Sequence, residues 1–417
     1  MTASPTFSRH RALGLAAVPA LGLGLAACGG SGFEDDPGAG GSDAGSGEGL
    51  TVLIGSSGDA ETTAVTEAVA AWSEQSGTAA EVIAASDLNQ QLSQGFASGS
   101  PADVFYLSTD ALAGYASNGS LAPYGDDVEN TGDFYPNLIE AFTLDGHQYG
   151  LPKDVSTLAL LINTQLWEAA GLTEADVPTD WDQLADVAQR ATGDGVAGLT
   201  MSTEYQRIGA FMAAAGGALV TDDVATADSP ENVEALEYVQ SLLEAGSLQF
   251  APDLGAGWGG EAFGNGSAVM VIEGNWITGA LANDYPDLEY QVVELPAGPG
   301  GQGTLQFTNA WGMAADSPHQ EAALDLITFL TSAEQQMTFA RAFGPMPSVA
   351  AASEEWSQEF PEMVAFLDGV EYAQNPPAQA GTADVIADLN AQLETLASGD
   401  AQAILASVQT NLEAVLG

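Results

Sequence analysis

The chain of 417 residues contains one cysteine, six basic residues and three histidines, and each shortage closes off a class of chemistry. With Cys28 standing alone, no disulfide can form within the chain. His10, His147 and His319 are too few and too scattered for a histidine metal cluster or a histidine-based triad, so neither a metal nor a cofactor is expected. No G-x-S-x-G elbow, P-loop or dinucleotide fingerprint occurs. Six basic against 57 acidic residues leave a formal charge of −51, which repels nucleic-acid phosphates and anionic lipid and disfavours anionic ligands unless one of the few cations serves them. The carboxylates are spread along the whole length, which fits either adaptation to high salt or a host with an acidic proteome. Beyond residue 27 no run is long and apolar enough to span a bilayer.

What is present begins with an export signal. Met1 to Ala27 carries Arg9 and Arg11, followed by an apolar segment rich in Leu, Ala and Gly. Leu25-Ala26-Ala27-Cys28 ends it and resembles the lipobox of bacterial lipoproteins, in which that cysteine is lipidated and becomes the new N-terminus. Arg9-His10-Arg11 is a degenerate echo of a twin-arginine signal, so both the Sec and Tat routes stay open. Removal of residues 1–27 leaves Lys153, Arg190, Arg207 and Arg341 as the basic residues, and 4 − 57 = −53. Residues 28–49 are then lipidated Cys28 and a Gly/Ser/Ala/Asp/Glu tether, holding the folded part at the outer face of the cell membrane through a lipid anchor only.

Leu50 to Gly417 exceeds the size at which one core stops growing, so two lobes are expected. Strand and helix patterns alternate: Leu50 to Ile54, then Val65, Ala68, Val69 and Trp72 at helical spacing; a strand near Glu81 to Ala84, then Leu88, Leu92 and Phe96; a strand over Ala102 to Leu107, then a helix opening at Ser108-Thr109-Asp110. This rhythm predicts an open parallel sheet with helices on both faces. Ligands sit beyond the carboxyl ends of such strands, which makes Ser57, Asp59, Tyr106 and Asp110 site candidates.

The chain passes from one half to the other at Tyr149 to Trp167. Pro152 stops a helix there, and Val155 to Ile162 reads as a buried strand. Lys153, Asp154 and Ser156 at its mouth are costly unless they face a partner or a cleft. The pattern then restarts through Trp181, Leu184 and Val187, Ile208 to Ala214, Val233 to Leu243 and the strong strand Ala268 to Ile272. Thr304 to Met313 reads as a second strand between lobes, Gly344-Pro345-Met346-Pro347 breaks the chain a third time, and two helices, Ala383 to Leu396 and Ala401 to Leu416, close it.

Ala102-Asp103-Val104-Phe105-Tyr106 with Asp110 and Tyr115, the Tyr149 to Trp167 run with Asn163, Phe263 to Met270 with Gly274-Asn275-Trp276, and Gly344 to Ser348 occur in an order that resembles the extracellular solute-binding proteins of ABC importers. The sugar-binding branch, family 1, similar to maltose-binding protein, is the nearest in pattern. The resemblance implies an α/β, two-lobed periplasmic-binding-protein-like fold of type II. Its three interlobe crossings would fall near Asp154 to Thr157, Thr304 to Thr308 and Phe343 to Pro347. It also implies a first lobe of residues 50–154 and 308–343 and a second of 158–304 and 348–417. The expected role is binding rather than catalysis: a small-molecule carbohydrate is captured between the lobes and delivered to the transmembrane permease subunits of the transporter. Ligand contacts implied by position are Ser57, Asp59, Tyr106, Asp110, Asp154 and Ser156, with Tyr205, Gln206 and Trp276 from the second lobe and Trp311 after the second crossing. Tyr106 stands where maltose-binding protein has a larger ring, which argues against maltose itself.

The residue types agree with a sugar, whose apolar C–H faces stack on aromatic rings and whose hydroxyls pair with carboxylates and amides. Tyr106, Tyr205, Trp276 and Trp311 with Asp59, Asp110 and Asp154 supply both. Core packing is the competing role for each ring, and Trp72, Trp167 and Trp181 are assigned to it. Trp258 and Glu261, in the Gly255 to Gly260 loop, fit cleft or surface equally. Two alternatives stand beside the sugar: a cationic or other small solute drawn to cleft carboxylates, and a carbohydrate-active enzyme using a chance carboxylate pair.

Overall fold

The computed structural model describes residues 49–128 and 131–417; the signal, Cys28 and the tether up to residue 48 lie outside the described residues. Along the chain, β1 (Leu50–Ile54), β2 (Ala80–Ala84) and β3 (Val104–Ser108) are followed by the hairpin β4 (Thr143–Leu144) and β5 (His147–Gln148), then β6 (Gly150–Pro152). Next come β7 (Ser156–Asn163), β8 (Ala197–Met201), the hairpin β9 (Val220–Thr221) and β10 (Val224–Ala225), β11 (Leu248–Phe250) and β12 (Ala268–Gly274). β13 (Tyr290–Val293), β14 (Thr304–Phe307), β15 (Asn309–Met313) and β16 (Ala373–Gln374) complete the set. Two principal sheets result, one ordered β2-β1-β3-β15-β6 and the other β11-β8-β12-β7-β14-β16, with β13 also pairing β7.

Local sequence accounts for most of these elements. The helix Asp59–Ser76 buries Glu61, Val65, Ala68, Val69 and Trp72 as one stripe, and Gly77 ends it in the left-handed region at φ 74°. β7 is buried from Thr157 to Asn163, as a strand covered on both faces must be, and it reads as a nearly unbroken apolar run. The helix Tyr205–Ala215 is buried at ten of its positions.

The sheets are mixed, which corrects the expectation of purely parallel ones. β1 runs parallel to β2 and β3, but β15 is antiparallel to β3 and to β6. In the other sheet β11, β8 and β12 are parallel, while β7 is antiparallel to β12, β13 and β14. The antiparallel members adjoin the points where the chain changes sheet, and a strand arriving from the opposite sheet enters against the local direction. The expected strand over Thr304 to Met313 is likewise two strands, parted at Thr308 and belonging to different sheets.

The segments that change sheet are bonded to one another. Lys153 N donates to the Asn309 carbonyl at 2.8 Å and Val155 N to the Met346 carbonyl at 3.1 Å. Thr308 Oγ1 donates to the Asp154 carbonyl at 2.7 Å. Ser348 Oγ donates to the Pro152 carbonyl at 2.6 Å and accepts from Gln336 Nε2 at 2.7 Å. A cluster that includes Leu138, Val155, Leu161, Met337, Met346 and Phe366 packs around this junction.

Candidate functional site

Each principal sheet carries a buried cation held by two carboxylates at the carboxyl ends of its strands, the edge where open α/β sheets bind ligands. In the first, Ser57 follows β1 and donates to Glu61 Oε2 through both N (2.7 Å) and Oγ (2.8 Å). Tyr106, on β3, donates its hydroxyl to Glu61 Oε1 at 2.9 Å. Lys153 Nζ lies 3.4 Å from that same oxygen, pairs with Asp154, and sits 4.5 Å above the Tyr106 ring centroid. Burial disfavours a charged Glu61, yet Lys153 and the bonds from Ser57 and Tyr106 outweigh it and hold the carboxyl below its ordinary pKa. Burial would likewise lower the Lys153 pKa, but Asp154, Tyr106 and Glu61 drive it upward, so the ammonium stays charged.

In the second sheet Glu273, near the end of β12, is fully buried. Arg207 Nη2 reaches Glu273 Oε2 at 2.7 Å and Nη1 reaches Glu204 Oε1 at 2.7 Å. Trp276 Nε1 donates to Glu273 Oε2 at 3.1 Å. Burial pushes the Glu273 pKa up, outweighing Arg207 and the bonds donated by Gly274 N and Trp276 Nε1. The Arg207 guanidinium lies 5.1 Å from the Trp276 ring centroid, and Phe307, the last residue of β14, meets that ring edge-on at 5.5 Å. A Cβ on Gly274 would overlap the indole, which explains glycine at that place in Glu273-Gly274-Asn275-Trp276. Trp276 nevertheless keeps 39 % of its surface exposed. Beside Arg207 a pocket of about 590 Å³ opens, lined among others by Ser202, Glu204, Phe250, Trp258 and Glu394.

The residues expected at the site divide by burial. Trp276, Asp154 and Ser156 are at least partly open, with Ser156 opposite Phe307 in register. Ser57 is exposed beside Glu61, and Asp59 and Asp110 are exposed in the first turns of their helices, bound to neither buried cluster. Gln206 is half-buried, its Oε1 without a partner among the described residues. Tyr106, Trp311 and Tyr205 correct the expectation of four stacking rings. Tyr106 and Trp311 are opposite each other in register, point to one face of their sheet and pack ring against ring at 4.8 Å beneath the helix Asp59–Ser76. Tyr205 lies against Gly209 in the main core of the second sheet. At 3 %, 1 % and 3 % exposure they offer no free face, and Tyr106 acts as a buried strut for Glu61. Trp72, Trp167 and Trp181 are core, as expected.

Glu61, Glu204, Glu273 and Arg207 were not among the expected site residues, although two of them carried a signal. Glu61 occupies the apolar stripe of its helix and Glu273 interrupts a strand of Ala, Val, Met and Ile; a carboxylate in such company needs a buried partner.

A family model described as bacterial extracellular solute-binding protein matches residues 67–366. The diacetylchitobiose binding protein DasA of Streptomyces coelicolor is 25 % identical, with 81 % of this chain and 82 % of that protein covered. Among solved structures, the cyclic alpha-maltosyl-1,6-maltose binding protein of Arthrobacter globiformis superimposes with a TM-score of 0.79 at 22 % identity, covering 88 % of this chain and 98 % of that one. An ABC substrate-binding protein of Listeria monocytogenes in complex with cycloalternan gives 0.73 at 22 % identity, covering 88 % and 97 %. With the family's model matched across most of its length and this two-sheet fold in common, the chain belongs to the bacterial extracellular solute-binding proteins.

Proposed function

We propose that the chain captures a carbohydrate, an oligosaccharide, in a cleft between two lobes. The lobes are taken as residues 50–154 with 308–343 and residues 158–304 with 348–417, and the cargo passes to the permease of an ABC importer. Lipid on Cys28 tethers the protein to the outer face of the cell membrane. The observation that carries this reading is the placement of cations: of the four in the folded part, Lys153 and Arg207 lie buried at the carboxyl ends of the two sheets, one on each, and Arg207 is next to the exposed Trp276. Fixed carboxylates and a half-open indole are what a neutral sugar requires, namely acceptors for its hydroxyls and a flat face for its ring. Relatives known as diacetylchitobiose-, lactose- and arabinooligosaccharide-binding proteins support the same class.

Thermal-shift screening against mono- and oligosaccharides tests it, since a ligand that binds the folded state raises the melting temperature. A sugar hit is expected, and Trp276→Ala should weaken its binding by about 1 kcal/mol or more with little loss of melting temperature. Polyamines shifting the melting temperature while neutral sugars do not would transfer the site to cationic solutes. For the anchor, Cys28→Ala should free the protein from the membrane fraction; retention with the signal processed would sink the lipoprotein reading.

A further inference from the structure

Both oxygens of Glu273 are engaged by donors. Oε2 accepts from Arg207 Nη2 at 2.7 Å, Trp276 Nε1 at 3.1 Å and Gly274 N at 3.3 Å, and Oε1 accepts from Ser202 Oγ at 3.4 Å. The side chain has no room to swing aside, since even a Cβ on Gly259 would come within 2.9 Å of Oε1. At 0 % exposure it is also out of reach of a ligand. The charged groups against it are Arg207 and, through Arg207, Glu204; β7 sets Ala159 opposite it, and Ser202 and Gly259 face it from the end of β8 and the helix Gly259–Gly264.

Trp276 is its counterpart in the open. With 39 % of its surface exposed, the indole has other rotamers within reach, and packing alone fixes it weakly. What holds it is the bond to Glu273, the Arg207 guanidinium over the ring and the edge of Phe307, the last residue before the second crossing. Glu273 orients two of these three, because Arg207 is itself bonded to it. We propose that Glu273 is a positioning residue for ligand binding: its carboxylate holds the Trp276 indole at the angle at which the ring meets the ligand, without touching the ligand itself. The inference rests on the carbohydrate reading above for what the ring receives. Taking up a proton weakens the hold, because a neutral acceptor bonds an N–H about half as strongly as a charged one. Burial places that proton uptake above the usual 4.5 of a glutamate.

The ring reports its own state without a ligand. In ¹H–¹⁵N spectra of the folded chain, the Trp276 indole N–H, assigned by its loss in Trp276→Phe, should move as pH is lowered, with a midpoint above 4.5. Glu273→Gln, a neutral acceptor of the same shape, should fix the resonance at every pH near the acid end of the wild-type titration. Glu273→Leu should carry it further, to the position of a water-exposed indole. Calorimetric titration with lactose, maltotriose and N,N′-diacetylchitobiose reads the consequence: a sugar that binds should lose about 2-fold in Glu273→Gln and about 5-fold or more in Glu273→Leu, and Glu273→Leu should cost nothing further once Trp276→Ala is present. A wild-type indole resonance indifferent to pH would overturn the proposal even if Glu273→Leu fails to fold. Equal losses from Glu273→Leu with and without Trp276 would overturn it too, and both results leave the carbohydrate reading standing. The expected spectra with no sugar bound anywhere in the wider panel would overturn the carbohydrate reading and leave the hold of Glu273 on the ring established.

Discussion

Glu61 and Glu273 are buried to similar degrees beside one cation each, yet their protonation is driven in opposite directions. At Glu61, Lys153 and the bonds from Ser57 and Tyr106 outweigh desolvation, whereas at Glu273 desolvation outweighs Arg207 and the bonds from Gly274 N and Trp276 Nε1. The folded-state pKa of Glu61 is depressed below about 4.5, so its contribution to stability is complete above that pH and is lost as pH falls through the folded value. Glu273 has the reverse sign: its folded pKa is raised, so the cost of keeping it charged is relieved on acidification. The melting-temperature advantage of wild type over Glu61→Gln should therefore shrink between pH 7 and pH values below about 4.5, while that over Glu273→Gln should grow in wild type's favour. Thermal melts of the three proteins across that window check it, and parallel curves would show that neither carboxyl is linked to folding.

Among the connecting elements, Gly344 to Ser348 is held through Ser348. Ser348 is fully buried, donates to the Pro152 carbonyl at the end of β6 and accepts from Gln336, whose other amide atom, Oε1, accepts from Val349 N at 3.1 Å. One hydroxyl thus ties the third crossing to the first and to the helix Ala333–Phe343. Ser348→Ala leaves the Gln336 amide N–H and the Pro152 carbonyl each short of a partner, and should cost about 1–3 kcal/mol. Urea denaturation reads this directly: a lowered midpoint with unchanged slope is expected, and an unchanged midpoint would mean that the junction reorganises around the loss.

Across the molecule, each described cation has two carboxylate partners: Lys153 with Glu61 and Asp154, Arg190 with Asp176 and Asp186, Arg207 with Glu204 and Glu273, Arg341 with Glu355 and Glu359. Among the described residues no cation is left over to offset the other acids, so the folded part carries nearly its full formal negative charge as self-repulsion. Raising monovalent salt from about 10 mM to 1 M shortens the screening length from about 30 Å to 3 Å, and the melting temperature should climb with it. A flat profile would indicate that bound cations already compensate the surface.

Periodicity was sufficient for the elements. Val65, Ala68, Val69 and Trp72 announce a helix and Ala268 to Ile272 a strand, because each depends on neighbours within a few positions. The order of such elements along the chain was also enough to point to the family. Strand direction at the crossings and the roles of single rings were not legible, since they depend on what another segment brings to the opposite side. Tyr106 and Trp276 both follow this rule: each is an aromatic near the end of a strand, but Trp311, arriving 205 positions later, closes over the first, while Gly274 and Phe307 leave the second part-open. Burial is a property of the assembled sheets, and with it go the charge state of Glu61 and Glu273 and the reach of Lys153 and Arg207, because desolvation and pairing act through space between residues far apart in the chain.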